Sequence, residues 1–145
     1  MVMGFLDRVK EFVTGKRTIV RNKDTGNALE RYGKSFIHAL DGMVYTITCE
    51  HNMIIIFIAA LVTIVAGLCF QISTNEWLFC ITAIGMVSAA EFINTAIEAV
   101  VDLASPDFNK LAKIAKDTAS SATLILSLTA FVGALFIFIP KIMQL

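Results

Sequence analysis

Residues 53–70, MIIIFIAALVTIVAGLCF, form a continuous apolar stretch without a charged side chain. A helix of roughly 20 residues crosses a bilayer core about 30 Å thick, so this stretch has the length and composition of a transmembrane helix. The chain as a whole is 57% hydrophobic and 17% charged, which is typical of a membrane protein. Its 145 residues suffice for one domain.

Two further stretches have the same apolar character. The three predicted spans cover residues about 53–72, 77–101 and 120–140. Helices satisfy all their backbone hydrogen bonds internally, which a chain in hydrocarbon requires. We therefore predict an all-α integral membrane protein with three transmembrane helices.

The segment before the first span, about residues 29–50, is predicted to be an amphipathic helix. One helical face carries its apolar side chains, which are Leu29, Tyr32, Phe36, Leu40, Met43, Val44 and Ile47. This pattern indicates an interfacial helix that lies in the plane of the membrane surface. A helix packed on a soluble core is disfavoured, because no other segment supplies such a core. Residues 1–28 form a polar N-terminal segment, and residues 29–145 form the membrane domain.

Lysine and arginine residues are concentrated in two parts of the chain. Eleven of the twelve lie before residue 35 or between residues 102 and 118, whereas the turn QISTNEW has none. By the positive-inside rule, the N-terminus and the loop before the third span are cytoplasmic, and the C-terminus is outside. We expect a multi-pass protein of the cytoplasmic membrane.

The second predicted span contains EFINTAIEAVVD, residues 91–102, which has three carboxylates. Its polar residues Glu91, Asn94, Glu98 and Asp102 are called the acidic stripe below. The spacing i, i+3, i+7 and i+11 places them on one helical face. A charged side chain at the centre of a membrane helix is unfavourable by about 2.5–3.5 kcal/mol and usually serves a function. At about 1.5 Å per residue, the stripe reaches roughly 16 Å below the cytoplasmic surface.

Other charged residues are expected at the same membrane surface. Glu50 ends the amphipathic helix, and Lys116 and Asp117 precede the third span. Carboxylates such as Glu50 and Glu98 suit Mg²⁺, which binds one or two carboxylates together with phosphate oxygens. A nearby lysine suits phosphate, and the deeper Glu91 can accept a proton from a lipid hydroxyl. These are the parts of a phosphoryl-transfer site that joins a soluble donor to a lipid acceptor.

Other interpretations of these charges stay open at this point. Buried carboxylates also form proton or cation relays in small transporters and channels. A non-catalytic assembly partner is a further alternative. Lys110 and Lys113 can determine topology or bind anionic lipid, and Asn94 can stabilise contacts between helices.

The acidic stripe resembles a sequence block of the prokaryotic diacylglycerol kinase family, which comprises small integral-membrane lipid kinases. EFINTAIEAVVD matches the block E-x-x-N-[ST]-A-I-E-x-x-x-D, and AKIAKDTASSATLI is similar to the family's A-K-D block and the small residues after it. SFIHALDG, followed by TCEHN, resembles the family's approach to the first span. The similarity covers about residues 29–140.

The resemblance implies a homotrimeric bundle with active sites shared between neighbouring protomers. It implies ATP as the phosphate donor, Mg²⁺ as the metal cofactor and a membrane lipid alcohol as the acceptor. By position, Glu91 takes the role of base, Glu50 and Glu98 hold metal, and Ser120 lies near the lipid. Nucleotide contacts are implied for Arg31, His38, Glu50, Asn94, Glu98, Lys116 and Asp117.

Several positions depart from the family pattern. Residues 107–109, DFN, stand where the family often has Glu-Tyr-His beside the adenine, and His38 stands where Tyr is common. The extended N-terminus, NTAIE and SPDFNKLAKIAKD are more similar to the undecaprenol kinases of Gram-positive bacteria than to true diacylglycerol kinases. We therefore expect a lipid kinase that acts on undecaprenol, with diacylglycerol as the alternative acceptor. We expect no nucleic-acid partner.

Overall fold

The computed structural model describes residues 27–144, in which every regular element is an α-helix. The helices are α1 (Ala28–Cys49), α2 (His51–Cys69), α3 (Thr74–Ala104) and α4 (Lys110–Ile142). The polar N-terminal segment proposed for residues 1–28 lies almost entirely outside the described residues. The chain divides at residue 50 into two compact units, one with α1 and one with α2 to α4.

Helix α1, in the first unit, confirms that a helix precedes the first span. It begins where the Asn27 side chain accepts a hydrogen bond from the backbone N–H of Glu30, at 3.3 Å. Its apolar residues are largely exposed, including Leu29 at 82% and Tyr32 at 75%. The helix spans nearly the predicted residues, and its position at the membrane interface stays a prediction.

The second unit contains three helices that are long and apolar enough to cross a membrane, as predicted. Helix α3 is longer than its predicted span because Ser73 and Glu76 form a capping box at its start. Helix α4 begins ten residues early because the Asn109 side chain accepts from the N–H groups of Leu111 and Ala112. Capped polar turns beyond the apolar runs thus lengthen both helices.

Large apolar side chains cover the outside of the second unit. On α2, for example, Ile55, Phe57, Val62 and Leu68 are each more than half exposed. Such a surface would be unfavourable in water, but hydrocarbon solvates it well. The exposure pattern therefore agrees with a protein whose helices contact lipid.

The corner between α2 and α3 is closed by a Schellman motif. The N–H of Gln71 donates to Leu68 O and that of Ile72 donates to Gly67 O, while Gln71 has a positive φ of 49°. Ile72 is buried beneath this turn. A Cβ atom built on Gly67 would lie 2.8 and 2.9 Å from ring atoms of Trp77, so the absence of a side chain lets the indole approach the helix.

Helices α3 and α4 run antiparallel and pack together more extensively than α2 and α3. An ion pair joins them at each end, since Lys116 lies 2.6 Å from Asp102 and Lys141 lies 3.5 Å from Glu76. Between these ends, the Phe79 ring sits directly against Gly133. These three contacts hold α3 and α4 in one antiparallel arrangement.

The packing at this corner predicts how a substitution at Gly67 changes stability. Replacing Gly67 by Ala should lower the free energy of unfolding by about 1–3 kcal/mol, because the new methyl group displaces Trp77 from a packed position. Unfolding in detergent micelles, followed by circular dichroism, measures this change.

Gly85→Ala is the matched control. A Cβ on Gly85 has open space around it. Alanine also favours helix by up to about 1 kcal/mol over glycine. This variant should therefore be as stable as the unaltered protein or more so. Equal stability of the Gly67→Ala and Gly85→Ala variants would contradict the described corner.

Candidate active site

The acidic stripe lies on the covered face of α3. Glu91 is 1% exposed and Asn94 5% exposed, whereas Glu98 is half-buried and Asp102 is exposed. The stripe therefore passes from full burial to solvent within three helical turns. The spacing predicted one shared face, and the graded exposure agrees with it.

Glu91 has no hydrogen-bond partner on either carboxylate oxygen among the described residues. Its backbone carbonyl, in contrast, accepts from the Thr95 hydroxyl at 3.0 Å. Ionised carboxylates are acceptors only, so both oxygens can receive a donor. Burying such a group without a partner is unfavourable. The Glu91 carboxylate therefore has two acceptor positions that no described residue fills.

Asn94 and Glu98 form the middle of the stripe. The Asn94 amide nitrogen donates to Glu98 Oε1 at 3.0 Å, one helical turn further along. The Asn94 Oδ1 atom is buried without a partner. The hydrogen bond orients the Glu98 carboxylate and leaves its second oxygen for another interaction.

Asp102 and Lys116 connect the stripe to α4. The carboxylate and ammonium groups are 2.6 Å apart, with side-chain exposures of 65% and 35%. On α4 itself, Asp117 forms an ion pair with Lys113 one turn earlier. The structure therefore places Lys116 at the solvent end of the acidic stripe, as the sequence predicted.

The remaining predicted site residues are more dispersed. Glu50 is the half-buried N-cap residue of α2, and its side chain makes no capping hydrogen bond. Ser120 is exposed on α4. Arg31 and His38 are exposed on α1, which belongs to the other unit. The structure joins Asn94 to Glu98 and Asp102 to Lys116, and the other proposed contacts stay predictions.

No group of three or more His, Cys, Asp and Glu side chains forms a metal site between residues 27 and 144. A cation that is held partly by phosphate oxygens needs only one or two carboxylates. Glu98 has a carboxylate oxygen beyond the one that accepts from Asn94, and the Glu50 side chain is not engaged in capping. Their donor chemistry fits Mg²⁺, and the metal-binding role of both stays a prediction.

An apolar cavity of about 240 Å³ lies between α2, α3 and α4. On α3 it is lined by Cys80, Ala83, Ile84 and Val87. Glu91 follows Val87 by one helical turn on the same face of α3. Glu91 is therefore one helical turn from a residue that lines a space suited to hydrocarbon.

The sequence interpretation missed two buried polar residues near the stripe. Thr95, on α3, bonds to the Glu91 backbone, and Thr123, on α4, is 9% exposed with no partner for its hydroxyl. Thr123 follows Lys116 by seven residues, a spacing that places both on the same helical face. That spacing is the one signal in the sequence that could have identified it.

Comparison with known proteins adds independent information. The sequence model of the family described as prokaryotic diacylglycerol kinase matches residues 37–138. An undecaprenol kinase of Bacillus subtilis is 36% identical over 121 residues, which cover 83% of this chain and 98% of that protein.

Two diacylglycerol kinases are also similar to the chain. The one from Synechocystis is 29% identical over 112 residues, covering 77% of this chain and 64% of that protein. The one from Helicobacter pylori is 35% identical over 96 residues, covering 66% of this chain and 75% of that protein. The family match includes the whole acidic stripe as well as Glu50 and Lys116.

The burial of Glu91 makes a prediction about stability. Glu91→Gln should raise the free energy of unfolding by about 1–3 kcal/mol, because a neutral amide replaces a buried carboxylate that lacks partners. Denaturation by sodium dodecyl sulfate in mixed micelles measures the change.

Glu98→Gln is the matched control for this prediction. Its carboxylate already accepts from Asn94, so removal of its charge should bring no gain in stability. A Glu91→Gln protein that unfolds more easily than the unaltered protein would contradict the described environment of Glu91.

Proposed function

This chain belongs to the prokaryotic diacylglycerol kinase family, and from that premise we propose that it phosphorylates undecaprenol to undecaprenyl phosphate. Membership makes it a membrane lipid kinase, a phosphotransferase that uses ATP and acts on an alcohol. The undecaprenol kinase of Bacillus subtilis matches over nearly its whole length, which supports undecaprenol as the acceptor. Diacylglycerol, the acceptor named for the two other relatives, is the alternative.

The single observation that carries this proposal is the buried, unpartnered Glu91. A carboxylate with two unfilled acceptor positions can first accept a hydrogen bond from the hydroxyl group of an alcohol and then accept that proton. The alcohol oxygen so activated attacks the γ-phosphorus, and the bond from that phosphorus to the bridging oxygen of ADP breaks. Glu91 thus acts as the general base.

The solvent end of the acidic stripe suits the nucleotide. Lys116 offers a cation for phosphate oxygens and is paired with Asp102 in this structure. Asn94 orients Glu98 through a hydrogen bond of 3.0 Å. In our proposal Glu50 and Glu98 hold Mg²⁺, which neutralises phosphate charge when bound. Asp117, Arg31 and His38 complete the proposed nucleotide contacts.

The apolar cavity supports an acceptor with a long hydrocarbon chain. It continues the covered face of α3 beyond Glu91 and is lined almost entirely by apolar side chains. An alcohol whose hydroxyl reaches Glu91 can leave part of its chain in this space. Ser120, exposed near the start of α4, is proposed to lie near the lipid headgroup region.

Topology and assembly form part of the proposal. The lysine and arginine distribution supports a cytoplasmic N-terminus and active site, with the C-terminus outside the cytoplasmic membrane. The exposed apolar residues of α1 support an interfacial helix. A homotrimer with shared sites would bring Arg31 and His38 of one protomer to the stripe of another.

Transfer of labelled γ-phosphate from ATP in mixed micelles tests the proposed function. Undecaprenol should be phosphorylated much faster than diacylglycerol, and Glu91→Gln should slow transfer by at least about 100-fold because the general base is lost. Glu76→Gln, a carboxylate change at the other end of α3, should leave transfer intact. Faster formation of phosphatidate would identify diacylglycerol as the acceptor instead.

Nucleotide binding separates the roles of Glu91 and Glu98. Glu98→Ala should weaken Mg²⁺-dependent ATP binding by about tenfold or more, whereas Glu91→Gln should leave it within about twofold. Equal loss of ATP affinity in both variants would contradict the division between metal ligand and base. Ion flux in vesicles without phosphoryl transfer would favour a relay function.

A further inference from the structure

Four buried side-chain atoms between residues 27 and 144 have no hydrogen-bond partner. They are the two carboxylate oxygens of Glu91, Oδ1 of Asn94 and Oγ1 of Thr123. The first three are acceptors, whereas a threonine hydroxyl can donate. Thr123 therefore supplies the one unused donor in this set, and neither the family blocks nor the mechanism assigns it a role.

The Thr123 hydroxyl differs from others on the same helix. Thr118, Ser121 and Thr129 each donate to the carbonyl oxygen four residues earlier, at 2.7 to 2.9 Å. This local bond is the usual way in which a helix satisfies a hydroxyl in apolar surroundings. Thr123 makes no such bond, although its side chain is buried, at 9% exposure.

The pairing of α3 and α4 places Thr123 beside the acidic stripe. The Asp102–Lys116 ion pair, at 2.6 Å, defines one common level of the two antiparallel helices. Thr123 follows Lys116 by seven residues on α4. Thr95 precedes Asp102 by seven residues on α3. Both steps are close to two full turns, so this ion pair puts Thr123 level with Thr95, whereas the contact of Phe79 with Gly133 puts it nearer the level of Ala89; Glu91 lies within that range.

The acceptors available at this level are limited. Thr95 already donates its own hydroxyl to the Glu91 carbonyl. Glu98 Oε1 already accepts from the Asn94 amide. The Glu91 carboxylate, one turn from Thr95, has two oxygens and two unmet acceptor positions. One donor from α4 and one from an acceptor alcohol would satisfy both oxygens.

We propose that Thr123 is a positioning residue for phosphoryl transfer: during the reaction its hydroxyl donates to one oxygen of Glu91, a bond that is not made in this structure, and turns the other oxygen toward the lipid hydroxyl. This inference rests on the proposed role of Glu91 as base. Thr123 acts on the substrate only through Glu91, and it has no part in nucleotide binding.

Replacement of Thr123 by Val tests this role, because valine keeps the shape and removes the hydroxyl. The kcat for undecaprenol should fall about tenfold, while KM for ATP stays within about twofold. Thr123→Ser retains a donor and should restore most of kcat. Thr129→Val, which removes an exposed hydroxyl bound to its own helix, should leave kcat unchanged.

Two results would overturn the inference. One is a Thr123→Val enzyme whose kcat equals that of the unaltered protein. The other is a Thr123→Ser enzyme as slow as Thr123→Val, which would attribute the loss to packing rather than to the hydroxyl.

Glu91→Gln, assayed in parallel, separates this inference from the proposed function. If Glu91→Gln retains full turnover, the proposed base is wrong and the role of Thr123 fails with it. If Glu91→Gln is inactive and Thr123→Val is fully active, the base stands and only the role of Thr123 fails. In the double variant Thr123→Val/Glu91→Gln, the valine should slow the residual rate no further, because both residues act through one carboxylate.

Discussion

Burial of a carboxylate without a hydrogen-bond partner is the constraint on which the rest of this site depends. Glu91 is 1% exposed in the middle of an apolar helix, and both of its oxygens lack a donor among the described residues. Such a group lowers stability, and a membrane protein retains it where a function requires it. The neighbouring polar groups leave it free, because Thr95 bonds to the backbone and Asn94 bonds to Glu98.

The packing of α3 on α4 gives the acidic stripe one solvent-exposed end and one buried end. The stripe ends in solvent at Asp102 and Lys116, where a charged nucleotide can approach from water. One helical turn from Glu91, Val87 lines an apolar cavity between α2, α3 and α4. In the proposed function, a water-soluble donor would approach the solvent end of the stripe and a lipid acceptor its buried end. Phosphoryl transfer then depends mainly on positioning and charge neutralisation.

The helices and the stripe could be predicted from the sequence, because length, hydropathy and spacing determine them locally. The structure confirmed three helices that are long and apolar enough to cross a membrane and a helix before them, and its Asp102–Lys116 ion pair places Lys116 beside the stripe. Helices α3 and α4 were longer than predicted, because their N-caps, Ser73 and Asn109, lie outside the apolar runs. Caps depend on single side chains rather than on hydropathy.

Contacts between helices were less accessible to sequence reasoning. Thr123 lies in an apolar run where a threonine is unremarkable, and its importance depends on the register of α4 against α3. The ion pair between Lys113 and Asp117 occupies the carboxylate for which the sequence suggested a nucleotide contact. Spacing alone did not predict this pair. Arg31 and His38 lie on α1, in the other unit, and their nucleotide contacts, like the metal-binding role of Glu50, stay predictions.

Infrared difference spectroscopy of the Glu91 carboxyl group tests the central claim most directly. Its band is identified by comparing protein labelled with ¹³C-glutamate with the Glu91→Gln variant. If the missing partner of Glu91 is the acceptor hydroxyl, undecaprenol added without ATP should shift this band, because a carboxylate oxygen gains a donor. An unchanged band in a preparation that phosphorylates undecaprenol would contradict the claim and require another group to activate the alcohol.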